Sequence, residues 1–200
     1  MNRATGIRTD TEQLRRLRYV TRLNEVHDAV HGAVTLELGQ PPLPQEICRI
    51  LVEVGSFRMA WFGVPDDQGW IVPQAMFGDT QGYIKTIRVS MRDIPEGRCP
   101  TGGAIREKRP VICNHILTDP ALLPWRVPAA RCGFTASASF PVPLSSGEIA
   151  ALTLYAIEED FFSTTEELLV TRICTDIGCA LQLAALERSL APAQPLRKSR

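Results

Sequence analysis

Apolar positions near the N-terminus recur with alternating steps of four and three residues. The residues that set this spacing are Tyr19, Leu23, Val26, Val30 and Ala33. Such a heptad spacing is typical of a long helix that packs along a second helix in a left-handed supercoil. The pattern ends near Gly39, and the prolines after it begin a new element. The sequence therefore predicts a terminal helix with a seam for a partner.

The next segment predicts a short helix followed by an antiparallel hairpin. Ile47, Ile50, Leu51 and Val54 share one helical face, and Gly55 ends the helix. The apolar runs FRMAWFGV and WIVPQAMF then flank the turn-forming sequence PDDQG. Two such runs joined by Pro, Asp and Gly are typical of a hairpin. A third apolar run of the same kind covers 84–89.

The second half of the chain predicts one more hairpin between short helices. A short helix is expected over 101–108 and a short strand over 110–113, and the segment 119–133 ends with helical character. The runs TASASFPVPL and EIAALTLYA flank Ser145-Ser146-Gly147, which is a second hairpin signal.

A long C-terminal helix is expected to have its N-cap at Thr164 or Thr165, together with Glu167, and to run to about Leu190. Its seam is broken at Glu187, and an apolar stripe continues beside it. The seam contains Val170, Ile173, Ile177, Ala180 and Ala184, and the stripe contains Leu183, Leu186 and Leu190. Hairpins between two long helices indicate an α+β fold.

Composition limits the class of protein. With 200 residues, 44% hydrophobic and 22% charged, the chain fits one soluble globular domain. No apolar run approaches the roughly 18 residues of a membrane span, and the basic N-terminus lacks the apolar region of a secretory signal. We therefore expect a cytoplasmic protein without a membrane partner. A net charge of zero argues against a general nucleic-acid partner.

The sequence contains partial motifs for three kinds of chemistry. Gly97 and Gly102 are spaced as in a phosphate-binding P-loop, but Gly103 and Ala104 follow where the motif needs Lys and Ser or Thr. His27 and His31 lie one helical turn apart without an evident third metal ligand. The six cysteines contain no C-x-x-C motif, so buried thiols are expected in place of a disulfide framework, a zinc site or a catalytic nucleophile.

A pocket is the remaining candidate site. Small hydroxyl residues alternate with apolar residues over 135–140, so one face of that strand leaves room beside it. Trp125 and Phe134 can close such a space, and nearby polar side chains can orient a ligand. A core filled by side chains, with the hydroxyls bonded to backbone, is an equally good interpretation. The candidate ligand residues are Arg98, Cys113, Asn114, His115, Trp125, Ser137 and Ser139.

These motifs together resemble a GAF domain, of the subgroup found with PAS modules in bacterial diguanylate cyclases and sensor histidine kinases. The resemblance covers about residues 40 to 187. It is carried by ICRILVEVGSFRMAWFGV, PEGRCPTGGAI with RPVICN, ILTDP with PWR, and the hairpin from FPVPL to AALTLY. It implies a PAS-related, six-stranded antiparallel sheet with a ligand pocket on one face, terminal helices on the other, and frequently a parallel dimer through those helices.

Differences from known GAF subgroups narrow the range of possible ligands. The resemblance would place the Cys-His pair of bilin-binding members at Pro124 and Trp125, so no covalent bilin is expected. The Asn-Lys-Phe-Asp-Glu signature of cyclic-nucleotide binders is missing from the sequence. The subgroup usually has Asn-Asp where this chain has Asn114-His115, and Gly where it has Cys99.

One GAF lineage, free methionine-(R)-sulfoxide reductase, is enzymatic. Cys132 stands in the register of one of its thiols, but its other two thiols would fall near Met91 and Thr101. Its acidic substrate residues would fall at Gly133 and Phe140. Sulfenic-acid chemistry requires a resolving thiol, so no catalytic residue is assigned and no enzyme activity is expected.

The sequence thus predicts a basic segment and signalling helix over 1–38, a GAF domain over 39–187 and a disordered or linker tail over 188–200. We expect a cytoplasmic sensory domain that binds an unidentified small molecule noncovalently and signals through its terminal helices. The alternatives are the reductase, a metal or redox sensor built on His115 with cysteines, and a dimerisation spacer without ligand. The expected partner is a second copy of the chain.

Overall fold

The computed structural model describes residues 21–22, 24–35, 43–78 and 81–190. Within them, an antiparallel sheet carries helices on both faces, which is the α+β class that the sequence predicts. The helices are α1 (24–35), α2 (Leu43–Glu53), α3 (Tyr83–Thr86), α4 (Pro100–Glu107), α5 (Leu123–Cys132) and α6 (Thr164–Leu190). The strands are β1 (Met59–Pro65), β2 (Ile71–Phe77), β3 (Val111–Cys113), β4 (Ala136–Pro143) and β5 (Ile149–Ala156).

Among the described residues the sheet has five strands, in the order β2-β1-β5-β4-β3, whereas six were expected. The difference lies in the run 84–89, whose first residues belong to α3 and whose last residues are irregular. The residue after the run, Ser90, forms an isolated bridge with Trp70. Gly82 enters the turn with a φ of 71°, and the Thr86 Oγ1 donates to the Tyr83 carbonyl at 2.7 Å. These local bonds satisfy polar groups at the start of the run, whereas at its end, within the described part of the chain, only the Val89 carbonyl pairs with β2, accepting from the Ile71 amide at 2.9 Å.

Both predicted hairpins are confirmed. In the β1–β2 turn, the Asp66 carboxylate accepts hydrogen bonds from the Gln68 amide at 2.9 Å and the Trp70 amide at 2.8 Å. In the β4–β5 turn, the Leu144 amide donates to the Glu148 carbonyl at 2.9 Å. An Asp that bonds to following amides is a frequent turn-forming device, so the turn residues set these two registers.

The terminal helices pack on one face of the sheet. Val26 and Val30 of α1 join α2 and α6 in a single buried cluster with the strands. The predicted α6 seam lies in this core, because Val170, Ile173 and Ile177 are each 0% exposed. The seam therefore packs inside the domain, and its interpretation as a contact between chains is not confirmed. Tyr19 and Leu23 of the first seam lie outside the described residues.

The N-cap of helix α6 lies one residue earlier than the sequence predicts. Ser163 Oγ accepts from the Thr165 amide at 3.2 Å, and the Ser163 amide and hydroxyl donate to Glu166 Oε2 at 3.1 and 2.6 Å. This reciprocal pattern is a capping box, in which two unpaired helix-end donors are satisfied. The cap is therefore Ser163 with Glu166, and the predicted cap at Thr164 or Thr165 with Glu167 is wrong.

By length and composition, residues Thr164–Glu187 are apolar enough to cross a membrane, with a mean hydropathy of 1.4 in an 18-residue window. The core helix of a soluble protein can pass the same test. The buried Val170, Ile173 and Ile177 account for the apolar character of one side of α6, because they pack against the sheet.

Candidate ligand site

The sheet face opposite the terminal helices carries a second buried cluster. Trp61 of β1 and Tyr155 of β5 lie on this face, and α3, α4, α5 and the loops between them cover it. The rings of Tyr83 and Phe134 pack edge-on at 5.1 Å, and those of Tyr83 and Tyr155 at 5.2 Å. Because side chains alternate along each strand, one face of the sheet packs against α1, α2 and α6, and the other face packs against α3, α4 and α5. The second face carries the candidate ligand site.

An inner cavity of about 10 Å³ lies in this second cluster. That volume is about what one water molecule needs. Its lining residues are Tyr83, Val89, Cys99, Pro100, Thr101, Ile116, Leu122, Trp125, Ser137 and Tyr155. A larger ligand can enter this cavity only if the side chains around it move, because protein interiors are close-packed.

Two polar groups of the second cluster, on Tyr155 and Trp61, are buried away from solvent. Burial first, and then the neighbouring Tyr83 hydroxyl, raise the pKa of Tyr155 well above its usual value. The Trp61 indole partly opposes the rise in the pKa of Tyr155. The buried Trp61 Nε1 itself has no acceptor in hydrogen-bond geometry among the described residues. A buried donor without an acceptor is costly, so this donor marks a position where a bound polar atom would be stabilised.

An outer cavity of about 120 Å³ adjoins the inner one, and the two share Val89. The outer cavity is mainly apolar, and the exposed Pro73 and Arg88 lie on its rim. Its lining residues are Trp61, Trp70, Ile71, Pro73, Ile84, Ile87, Arg88 and Val89. An apolar cavity with a few polar groups is the usual form of a small-molecule site.

The guanidinium carbons of Arg88 and Arg92 lie 3.9 and 4.9 Å from the centroid of the Trp70 ring. A cation over an indole face is stabilised by the ring quadrupole. The backbone of residues 88 and 89 is held by two hydrogen bonds. Trp125 Nε1 donates to the Arg88 carbonyl at 3.3 Å, and the Ile71 amide donates to the Val89 carbonyl at 2.9 Å. The rim of the outer cavity is therefore positively charged and held in place.

The serine side chains of β4, Ser137 and Ser139, point to the same sheet face as the two cavities, as the sequence predicts. Most of the space beside them is filled by other side chains. Ser139 Oγ lies 2.8 Å from Thr153 Oγ1 and 3.3 Å from Thr101 Oγ1 of α4, and the two threonine oxygens are 3.0 Å apart. The three hydroxyls satisfy one another and hold α4 on the sheet. Ser137 lies beside the inner cavity.

The other predicted residues are dispersed. Trp125 and Ser137 line the inner cavity together. Cys113 is 9% exposed, and its Sγ donates to Asp119 Oδ2 at 3.5 Å. Arg98 is largely exposed and pairs with Asp93 at 3.4 Å.

Asn114 and His115 connect β3 to the segment before α6. The Asn114 amide donates to the Phe162 carbonyl and accepts from the Phe162 amide, both at 3.0 Å. His115 lies 3.1 Å from Asp160 and 3.7 Å from Glu159. These contacts fix the position of the β5–α6 segment relative to β3.

The thiols are mostly buried. All six cysteines lie within the described residues, and none forms a disulfide. Burial raises the pKa of Cys48 to about 12 and that of Cys113 to about 11, with the Asp119 carboxylate adding to the rise at Cys113. Within the described part of the chain, no group of three or more His, Cys, Asp or Glu side chains is placed to hold a metal ion.

Sequence reasoning missed the residues of the outer cavity. Trp61 and Trp70 were assigned only to a hairpin, and Arg88 was placed in a strand-like run. One signal was available: Arg88 and Arg92 flank a turn next to a hairpin that carries two tryptophans, and arginine stacks readily on indole rings.

Comparisons with known proteins give the family and the fold. A sequence model of the GAF domain matches residues 43–182. Among curated proteins, none matches the chain in sequence. The free methionine-R-sulfoxide reductase of Neisseria meningitidis, in complex with its substrate, is 14% identical with a TM-score of 0.68, over 82% of this chain and 91% of that one.

Two GAF domains of similar shape are also 14% identical to the chain. That of a phosphoenolpyruvate-protein phosphotransferase from Coxiella burnetii has a TM-score of 0.64, over 84% of this chain and 99% of that one. The nlh2 GAF domain of A. aeolicus in an inactive state has a TM-score of 0.60, over 84% and 98%. At such identities the likeness shows the fold alone.

Proposed function

This chain belongs to the GAF domain family, and on that premise we propose that it is a cytoplasmic sensory domain of bacterial signal transduction. It binds a small molecule noncovalently and transmits the bound state through its terminal helices. The observation that carries this proposal is the outer cavity of about 120 Å³, which lies on the sheet face opposite α1 and α6.

Strand β1 offers a short route between the two faces. Trp61 lines the outer cavity, and the adjacent Phe62 belongs to the cluster that contains α2 and α6. A ligand that moves the Trp61 ring would therefore bias the packing of Phe62. It can drive a signal only by binding one helix arrangement more tightly than another, and a coupling of about 1–3 kcal/mol is typical.

The signalling unit that we propose is a homodimer through the terminal helices. Four exposed leucines support this: Leu168, Leu183, Leu186 and Leu190 are 67%, 44%, 60% and 81% exposed. A helix that exposes leucines along one side gains free energy by covering them with a partner.

A thermal-shift screen of the purified chain against metabolites tests ligand binding. A ligand at about 100 times its Kd stabilises the folded state by about 2.7 kcal/mol, which shifts the Tm by several degrees. We expect at least one metabolite to do this. A dimerisation spacer would show no such shift with any compound.

The same material separates the remaining functions. A reductase would turn over free methionine-R-sulfoxide and lose that activity in Cys132→Ser. We expect no turnover, because Met91 and Thr101 stand where the other thiols would be needed. A metal or haem sensor would show visible absorbance or bound metal as purified, and either result would replace our proposal.

A further inference from the structure

We infer that the outer cavity takes a small organic monocarboxylate, with an apolar body inside the cavity and the carboxylate on the Arg88 guanidinium. This ligand class rests on the proposed function, because it specifies the kind of molecule that the sensory domain binds. Apart from Val89, which both cavities share, its lining residues lie outside the inner cavity and outside the hydroxyl cluster on β4.

The walls of the outer cavity select an apolar body. Trp61, Ile71, Ile84 and Val89 are 1%, 6%, 7% and 5% exposed. The volume of about 120 Å³ is slightly below the roughly 150 Å³ of an engineered apolar cavity that binds benzene. A body of about six carbon atoms therefore fits if the rim relaxes a little, whereas a nucleotide or a bilin is too large.

The shape of the cavity also depends on β1. A Cβ atom on Gly63 would lie 2.6 Å from Ile71 Cγ2 and would also collide with the six-membered ring of Trp61. Trp61 thus lies over a position that has no side chain. Because only glycine leaves that room, the indole can form a flat wall of the cavity.

The rim selects an anionic head group. The Arg88 guanidinium carbon lies 3.9 Å from the centroid of the Trp70 ring. An arginine held over an aromatic ring can still offer its N–H donors to a carboxylate in a bidentate pair. Among the described residues, neither Arg88 nor Arg92 forms an ion pair with a carboxylate. The Arg92 guanidinium adds a second positive charge on the same indole.

The Asp66 carboxylate, in the turn before Trp70, has other hydrogen-bond partners. Asp66 already accepts hydrogen bonds from the Gln68 and Trp70 amides. A neutral ligand would leave the positive charge at the rim without an anionic partner, and an inorganic anion would leave the apolar walls of the cavity in contact with water. A carboxylate with an apolar body matches both parts of the cavity.

Benzoate and its neutral isostere benzamide are suitable probes, titrated by calorimetry into the full chain near neutral pH. We expect benzoate to bind wild type at least about tenfold more tightly than benzamide, since a charge-assisted pair is replaced by a neutral one. Arg88→Gln should weaken benzoate by about tenfold and leave benzamide nearly unchanged. Ile87→Phe, which fills the cavity, should weaken both.

Arg131→Gln is the matched control, because Arg131 is an exposed arginine that lines neither cavity. It should bind both probes as wild type does, and Tm values establish that each variant folds. Equal affinity for the two probes, or unchanged benzoate affinity in Arg88→Gln, overturns the ligand class but leaves small-molecule sensing intact. If neither probe binds while other metabolites raise the Tm, the ligand class fails alone. If no compound binds, the proposed function fails as well.

Discussion

Gly102 lies where the first turn of α4 meets two backbone carbonyl oxygens. A Cβ atom at this position would overlap the Ser90 and Gly97 carbonyl oxygens, closer than real Cβ contacts occur. Neither oxygen belongs to a flexible side chain, so the backbone itself would have to move. We expect Gly102→Ala to lower the free energy of unfolding by about 2–4 kcal/mol, as measured by urea denaturation.

The neighbouring glycine provides the matched control. A Cβ atom on Gly103 would lie 3.3 Å from Val111 Cγ2, which is a side-chain atom that can shift slightly. Alanine also favours a helix over glycine by about 1 kcal/mol, which offsets that small strain. Gly103→Ala should therefore stay within about 1 kcal/mol of wild type. Equal losses in the two variants would contradict the role given to the carbonyl contacts.

The raised thiol pKa values predict which cysteines react. The thiolate is the nucleophile, so a pKa raised above 9.0 lowers reactivity at neutral pH. With a pKa of about 11, roughly a thousandth of Cys113 is thiolate at pH 8, and Cys48, at about 12, has even less. Iodoacetamide labelling followed by mass spectrometry should modify the exposed Cys179 first.

The pH dependence of this labelling has a defined sign. Labelling of Cys113 should accelerate by about tenfold per pH unit up to pH 11, because its thiolate fraction rises by that factor. Labelling in urea, where burial is removed, should make all six cysteines comparable. Rapid labelling of Cys113 in the folded protein below pH 8 would contradict the predicted burial effect.

Part of the candidate site was accessible from sequence. The alternation of Ser137 and Ser139 with alanines correctly identified one face of β4, because side-chain direction along a strand follows from spacing alone. The filling of that face by Thr101 was not accessible, since it depends on a contact between residues 38 positions apart. The charge of Arg88 over Trp70 depends in the same way on how two loops meet.

At the scale of elements, the cap of α6 is the clearest test of local energetics. Ser163→Ala removes the side-chain acceptor for the Thr165 amide and the donor to Glu166. The loss of such a cap typically costs about 1 kcal/mol, so the free energy of unfolding should fall by about that amount. Thermal or urea denaturation measures the difference.

Ser146→Ala is the control for the capping prediction. Ser146 bonds Glu148 at 2.9 Å in the exposed β4–β5 turn, away from any helix end. Such surface substitutions usually change stability by less than about 0.5 kcal/mol. If Ser146→Ala costs as much as Ser163→Ala, the capping box contributes nothing specific to α6.

The elements differ in how well sequence predicts them, and the reason is physical. The β1–β2 and β4–β5 hairpins were predicted because turn residues such as Asp66 act within a few positions along the chain. The run 84–89 was misassigned because a short apolar run fits a strand or a buried helical turn equally well. The α6 seam was correctly placed on a helix, but a heptad spacing does not distinguish packing on a sheet from packing on a partner helix.

At the scale of the molecule, the two sides of α6 have different roles. The residues 168, 172, 175, 179, 183, 186 and 190 follow steps of three and four and are all exposed. We call these residues the outer stripe. The stripe lies opposite the buried Val170 and Ile177, so it is the side of α6 available to a second copy. Its leucines at both ends and Cys179 near its middle make the proposed dimer testable.

A parallel dimer along the outer stripe would place Cys179 of each chain near its counterpart, because equivalent positions meet across a two-fold axis parallel to the helices. A short bismaleimide should then give a covalent dimer on a denaturing gel. Cys179→Ser should abolish this product. Leu186→Glu should reduce it strongly and shift the protein to monomer in analytical ultracentrifugation, because a charge in an apolar seam must be desolvated.

Leu123→Glu is the matched control for the dimer, because Leu123 on α5 and Leu186 on α6 are both 60% exposed. The same loss of an exposed leucine outside the stripe should leave crosslinking and sedimentation unchanged. Monomeric wild-type protein at high concentration, or equal crosslinking in both glutamate variants, would exclude the outer stripe as the dimer contact. The buried cysteines cannot account for a crosslink, since burial suppresses their thiolates as it does at Cys48 and Cys113.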